Sequence, residues 1–525
     1  MVFAEVQRND RPRPHPTIGN GQFVAQSITD LLPSSVHLSA MSPYLLLAIV
    51  FGYFLLLMGI AWYTSRGAGE HSFYSGDRKS LWYVVAFGMI GTSLSGVTFI
   101  GVPGYVDAKA WTYFQLVLGF AIGYWIIAGV LLPLYYRTHV TSIYGYLRER
   151  FGLDSYRTGA SFFILSRLAG ATIRIFVVLN VIQLFVLDAM GVPFELTAVI
   201  VMVMIVLYTL KGGVKTIVWT DTLQTLFMLA ALVGTIVYIT HSAGMGDWLS
   251  AVKANGSMRI LDLDWRSDSF FLKQVLAGMF ITIAMTGLDQ EMMQKNLSVS
   301  TVEGSKKNMR VFSVVLIVAN LLFLLLGSLL FLYMHRQGIA MPGHSDDVFP
   351  TLALQHFPPW LGLVFIIGLI SALFPSADGA LTALTASTCL DLIGIRDRGW
   401  DDGKQKRVRQ RVHMGMAALF LLFIFYFHWL ATPTVITTLY DVAGFTYGPL
   451  LGLFAFGIFS KRSPRERWVP LVCIAAPIIA YFLRMYSQQL FFGYKMGFEV
   501  LLVVAAITML GLALLSKGRP RHTAA

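Results

Sequence analysis

Runs of about 20 apolar residues, each bounded by charged or polar residues, recur along almost the whole chain. A helix of about 20 residues crosses the hydrocarbon layer of a bilayer, so this pattern predicts an all-α polytopic membrane protein. Thirteen such runs can be drawn, numbered here as spans 0 to 12. They cover roughly 43–64, 78–105, 111–136, 158–187, 192–210, 214–240, 269–293, 309–334, 360–390, 412–431, 434–459, 467–485 and 490–516. Charged residues make up 13% of the chain and the mean hydropathy is +0.65. A soluble protein carries about 25% charged residues.

The formal net charge of +12 raises the question of a nucleic-acid partner. Its distribution answers it. With the N-terminus outside, the inner loops collect 27 of the 40 Lys and Arg residues, seven of them between Arg396 and Arg411. Others in the inner set include Arg66, Arg148, Arg150, Lys295, Lys306 and Arg462. That is the positive-inside pattern of a membrane protein. It predicts an N-out, C-in chain in the plasma or inner membrane and requires no nucleic acid. Residues 1–41 are polar, proline-bearing and aperiodic, which predicts disorder, and Met41 stands directly before the first apolar run. A translation start at Met41 is the expectation, and peptide mapping of the native protein should then recover nothing from residues 1–40. The transmembrane domain is expected over 42–516, with core repeats at about 78–240 and 269–459 and a cytoplasmic tail at 517–525.

Three spans are interrupted. Span 1 contains Gly91-Thr92-Ser93-Leu94-Ser95-Gly96-Val97-Thr98, and span 6 contains Met285-Thr286-Gly287-Leu288-Asp289-Gln290. Span 8 contains Ser371-Ala372-Leu373-Phe374-Pro375-Ser376-Ala377-Asp378-Gly379. Small and hydroxylated residues weaken a helix, and Pro375 frees the carbonyl of Ser371. Spans 1 and 6 open two consecutive five-span blocks, and paired broken helices at matching places mark inverted-repeat transporters. The competing reading is close helix packing through small residues.

Ionisable residues inside spans mark ion or solute paths by default. Arg167 and Arg174 share one face of span 3. Arg167 is the shallower and is expected to reach toward the inner surface. Arg174, at mid-depth, would pair with Asp378 or Asp441 or grip a carboxylate on a solute. Asp221, with Thr220 and Gln224, lies about two turns into span 5 after the Lys211-Gly212-Gly213 turn. A carboxylate beside hydroxyls and freed carbonyls offers the hard oxygens that a sodium ion prefers. Cys389 and Cys473 show no metal or disulfide spacing, and no phosphate loop, zinc motif or nucleophile elbow occurs. Enzyme function is not expected.

At these residues the chain resembles the sodium:solute symporter family. The Gly-Gly turn followed by Trp219-Thr220-Asp221-Thr222-Leu223-Gln224, Thr98-Phe99-Ile100-Gly101, Asp289-Gln290 and Tyr447-Gly448-Pro449 carry the likeness. The resemblance implies a leucine-transporter-type 5+5 inverted repeat of about 13 helices. It implies a principal sodium site at Gly91 and Leu94 of span 1 and Ala372 and Ser376 of span 8, where Pro375 departs from a two-serine pattern. A second sodium site of some relatives would involve Asp221, with Asp378 and Gly379 where hydroxyl ligands are usual. It places solute contacts at Ser93, Ser95, Thr98, Gln115, Arg174 or Arg167, Thr286 and Asp441. The asparagine, histidine, tryptophan and glutamine of the sugar branch are missing there, so the resemblance favours a carboxylated solute such as a sialic acid, an amino acid or a monocarboxylate. The expected function is sodium-coupled symport. A proton-coupled symporter using Asp378 or Asp441, or a membrane sensor with a transporter-like fold, is the alternative.

Overall fold

The computed structural model describes residues 42–64, 80–138, 142–210, 214–430 and 435–517. The 1–41 segment, the Lys211-Gly212-Gly213 turn and nearly all of the 517–525 tail lie outside them. Every apolar run carries helix. Among the described residues nine helices are individually long and apolar enough to cross a membrane, and a bent pair in span 6 makes ten. Shorter apolar helices occupy Trp82–Ser93, Phe194–Thr209 and Val500–Leu514, in spans 1, 4 and 12. Faces of these helices remain apolar and outward. On span 4 Leu196, Ile200, Val203 and Leu207 recur at three- and four-residue spacing, all about half exposed. Such a stripe is stable against acyl chains and not against water.

Loops that alternate along the chain gather at opposite ends. At one end Arg148 meets Asp397 (3.4 Å), and Arg150 donates to the carbonyls of Ser460 (2.6 Å) and Arg462 (3.0 Å). Ser463–Pro464 pairs there with Ser516–Lys517. At the other end Lys109 pairs with Asp268 (2.7 Å), which Lys495 also approaches (3.5 Å), and Arg336 pairs with Asp247. The connections assigned to one side of the membrane by the charge pattern are thus together in space.

Two of the three expected breaks, those in spans 1 and 6, are present. Helix Trp82–Ser93 stops at Leu94 (φ −83°, ψ 78°), and helix resumes as a π-type stretch, Val97–Gly101, then Val102–Lys109. In span 6, Phe271–Thr282 and the π-type Ile283–Gly287 are followed, after a 66° bend, by Gln290–Leu297. Inside a bilayer the backbone groups freed at a break need protein partners. Tyr135 and Tyr144 donate to the carbonyls of Gly287 and Leu288 (both 2.9 Å), and Asp289 caps the new helix through the Met292 amide (3.1 Å). Span 8 differs. Pro359–Ser387 runs through Pro375 as one helix and absorbs the missing amide without a break.

Spans 1, 2, 6 and 7 pack on one another, spans 3, 8 and 9 form a second group, and span 5 lies against spans 1 and 8. Tyr113–Ile126 of span 2 packs along Phe271–Thr282 of span 6 with backbones close together. There a side chain on Gly278 would run into the carbonyl of Leu116, and one on Gly119 into that of Val275. Gly278→Val should therefore force these helices apart, costing about 1–3 kcal/mol. The readout is a lowered unfolding midpoint of the purified protein in detergent, and an unchanged midpoint would contradict the close packing.

Candidate functional site

The break in span 1 stands where spans 1, 3, 5, 6 and 8 converge. A side chain on Gly91 would meet the hydroxyl of Thr225 and the carbonyl of Asp221 in span 5, with Pro375 of span 8 behind them. Only glycine lets the three spans approach this closely. Because the helix ends at Leu94, the carbonyls of its last turn lack the amides of a following turn. They also form the negative end of the helix dipole, which favours a cation. On span 8, next to Pro375, the Ser376 hydroxyl is fully buried and has no hydrogen-bond partner. Gly91, Leu94, Ala372 and Ser376 are therefore all buried, and span 1 touches span 8 at Gly91 and Pro375. Unpaired carbonyls on span 1 and an orphaned hydroxyl on the span packed against it are hard oxygens of the type that sodium accepts.

Asp221 is also buried, but it is already paired. Its Oδ2 accepts from Lys295 Nζ (2.7 Å) and Thr92 Oγ1 (3.2 Å). Lys295 also donates to Thr92 (2.5 Å) and to Glu291 Oε1 (3.0 Å), four residues earlier on the same helix. Glu291 in turn holds Arg167, whose Nε lies 3.7 Å from Asp289. Tyr447 of span 10 donates to the other side of this cluster at Asp289 (3.0 Å). Five ionised side chains thus form one chain of contacts in the middle of the molecule.

Two expectations change here. Arg167 does not reach toward a membrane surface. It is buried, because two carboxylates on the second half of span 6 give it partners at its own depth. Lys295 is not an inner-loop residue either, since the 66° bend turns Gln290–Leu297 into the protein, where all eight residues are buried. Glu291 and Lys295 are the members of this charge cluster that the sequence reading passes over as site residues. Their i, i+4 spacing directly after the break was the available signal.

Asp378, the fourth acid of this region, accepts from Tyr208 (2.7 Å) and from the amide of Gly379 (2.5 Å). Asp441 pairs with Arg484 of span 11 (2.9 Å). Neither acid is the partner of Arg174. Among the described residues that guanidinium has no ion pair, and its Nε has no hydrogen-bond partner. It faces a cavity lined also by Thr92, Ser93, Tyr124, Thr286 and Tyr440, with Arg167 at its edge. Of the expected solute contacts, Ser93, Arg167, Arg174 and Thr286 therefore come together. Ser95 and Thr98 are buried in the break and just beyond it, outside this lining. Gln115 instead ties down the loop before span 6, accepting from the Asp262 amide and donating to the Ser269 carbonyl (2.9 Å).

Asp441 lines a different cavity, with Lys109, Asp268, Arg484 and Lys495. Between the two cavities Tyr113 and Tyr440 share a hydrogen bond of 3.0 Å, flanked by the rings of Tyr105 and Phe498.

The pattern of the sodium:solute symporter family matches residues 73–466. The chain belongs to that family. It is 22% identical over 476 residues to the sodium/sialic acid symporter SiaT of Proteus mirabilis, covering 87% of this chain and 93% of that one. It is 25% identical over 436 residues to the sodium-coupled monocarboxylate transporter 1 of Xenopus laevis, covering 78% and 67%. In three dimensions it is similar to a substrate-bound, outward-open sodium-coupled sialic acid symporter, with a TM-score of 0.74 at 17% identity over 90% of this chain and 98% of that one. The all-α, leucine-transporter-type architecture expected above is thereby shown.

Glu291 is the hub of the buried charges. Glu291→Gln would leave Arg167 and Lys295 each short of a counter-charge, at a cost of about 3–5 kcal/mol. A marked drop in thermal midpoint is expected, and a midpoint equal to wild type would mean the pairs do not hold the core.

Proposed function

We propose that this family member carries a small carboxylated solute inward with sodium by alternating access, and that Arg174 binds the carboxylate. One observation carries the reading: an unpaired guanidinium at mid-depth, facing a cavity edged by hydroxyls of spans 1, 2, 6 and 10. A guanidinium left alone in a low-dielectric interior is costly, and a carboxylate matches its donor geometry. Two relatives whose names include sialic acid and monocarboxylate support the same solute class. Ser93 and Thr286 would hydrogen-bond the solute beside Arg174, whereas Ser95, Thr98, Gln115 and Asp441 act in the surroundings.

Sodium would bind the carbonyls of Gly91, Leu94 and Ala372 with the Ser376 hydroxyl, holding the unwound turn of span 1 in the form that completes the cavity. Ion and solute then raise one another's affinity by the same factor. Each sodium moving inward through 100 mV releases about 2.3 kcal/mol. The basic loops between spans 2 and 3 and between spans 8 and 9 would face the cytoplasm of a cell with this protein in its plasma or inner membrane, and the N-terminus the outside. Chemistry on the solute is not part of this reading.

Proteoliposomes test it. An inward sodium gradient should drive uptake of at least one acid from a panel of sialic acids, monocarboxylates and amino acids, while neutral sugars are ignored. Arg174→Gln should weaken binding of that acid by about 30-fold or more, the loss expected for a buried charge pair. Ser376→Ala should instead raise the sodium concentration for half-maximal uptake, by about tenfold for one lost ligand. Uptake indifferent to sodium would end the reading. A proton-driven variant draws on Asp378, a buried carboxylate without a cation partner among the described residues. Uptake driven by a pH gradient in sodium-free buffer, abolished by Asp378→Asn, would favour it.

A further inference from the structure

Lys295 has an unusual place for an ammonium group. It is 2% exposed, and its three N–H bonds go to Asp221, Thr92 and Glu291, at 2.7, 2.5 and 3.0 Å. An ammonium has three donors and no acceptor, so its hydrogen-bonding capacity is filled. The three oxygens belong to spans 5, 1 and 6, and two of them are carboxylate oxygens. A carboxylate from span 5 with oxygens converging on it from a broken helix is the type of cage that holds a hard cation. Here the cage contains a side chain.

We propose that Lys295 is the resident cation of the Asp221 site, so that its tethered ammonium stands where a sodium ion would otherwise bind and this chain takes up no sodium there. The proposal rests on the sodium-coupled reading above and deepens it by fixing which oxygens serve sodium. Three observations support it beyond the short distances.

The first is tethering. Lys295 is anchored on the helix that follows the span 6 break, and Glu291 one turn earlier keeps the ammonium in place. A tethered group competes at a high effective concentration that an ion from solution must overcome. The second is that both carboxylate oxygens of Asp221 already have donors. Thr92 also donates to Oδ2, and the Gln224 amide, in the orientation that its neighbours demand, donates to Oδ1 (3.3 Å). The third is the contrast with Ser376, whose buried hydroxyl has no partner at all. One oxygen group is complete and the other is not. The incomplete one, between spans 1 and 8, is where an ion from solution has work to do.

The ammonium also joins the ion region to the solute cavity. Asp221 touches Lys295, Lys295 touches Glu291, and Glu291 holds Arg167 at the cavity edge. Lys295 is thus a positioning residue for Thr92 and Glu291 as well as a counter-charge for Asp221.

The test counts sodium ions bound at saturation by the purified full-length protein, using radioactive sodium, so that no solute need be known. Lys295→Met should bind one sodium more than wild type, because Asp221 is opened to solution. The charge-balanced double variant Asp221→Asn/Lys295→Met should bind as many as wild type. It removes the acid and the base together, so it remains informative where Lys295→Met alone does not fold. A double variant that binds one sodium fewer would show that Asp221 already holds an ion beside Lys295, and would overturn the proposal. So would a Lys295→Met protein whose count equals that of wild type. Both results leave sodium coupling intact. Wild type that binds no sodium would overturn the proposal together with the sodium-coupled reading itself.

Discussion

Glu291 is the interaction on which the centre of this molecule depends. It accepts Arg167 from span 3 and Lys295 from its own helix. Without it two cations would lie in a membrane interior with incomplete neutralisation, where an unpaired charge is among the least tolerable features of a fold. Glycine makes room for it: a side chain at Gly379 of span 8 would strike the Glu291 carboxylate. Charge pairing and helix packing are therefore one constraint at this point. The second half of span 6 cannot move without carrying ion pairs to spans 3 and 5 with it.

The two broken spans use this constraint differently. In span 6 the break has protein partners, with two tyrosine hydroxyls on its carbonyls and Asp289 as helix cap. In span 1 the helix ends at Leu94, so carbonyls of its last turn lack a following turn, and on span 8, packed against it, the Ser376 hydroxyl has no partner. A satisfied break is a fixed joint. In the proposed mechanism the unsatisfied one is where binding an ion adds stability that the protein alone lacks, and this asymmetry would couple the ion to a conformation.

Much of the architecture is legible in the sequence because lipid imposes simple rules. Apolar length gives the spans, and the glycines and hydroxyls of Gly91–Thr98 and Thr286–Gly287 mark the breaks. The family resemblance locates Asp221 and Ser376. What escapes is partnership. Asp441 and Arg484 lie 43 positions apart, and nothing in either segment announces the pair. Arg167 reads as a surface-seeking arginine because its acids belong to another span. Lys295 reads as a loop cation because it follows an apolar run, and only the 66° bend brings it inside. Such pairings depend on tertiary geometry, whereas hydrophobic length is a local property of the chain.

The hydroxyl contact between Tyr113 and Tyr440 has a consequence for the route a solute takes. It is one hydrogen bond, flanked by the rings of Tyr105, Phe120 and Phe498, between the Arg174 cavity and the one that holds Asp441 and Arg484. A single neutral hydrogen bond is worth about 1 kcal/mol. Away from it, the Arg174 cavity is backed by the ion pairs of Arg167 and by Tyr447 on Asp289. The barrier is thus thin toward one face of the membrane and thick toward the other. On the proposed transport reading, side-chain rotation would suffice to open the first, on the timescale of rotamer exchange, while the second would need movement of whole helices.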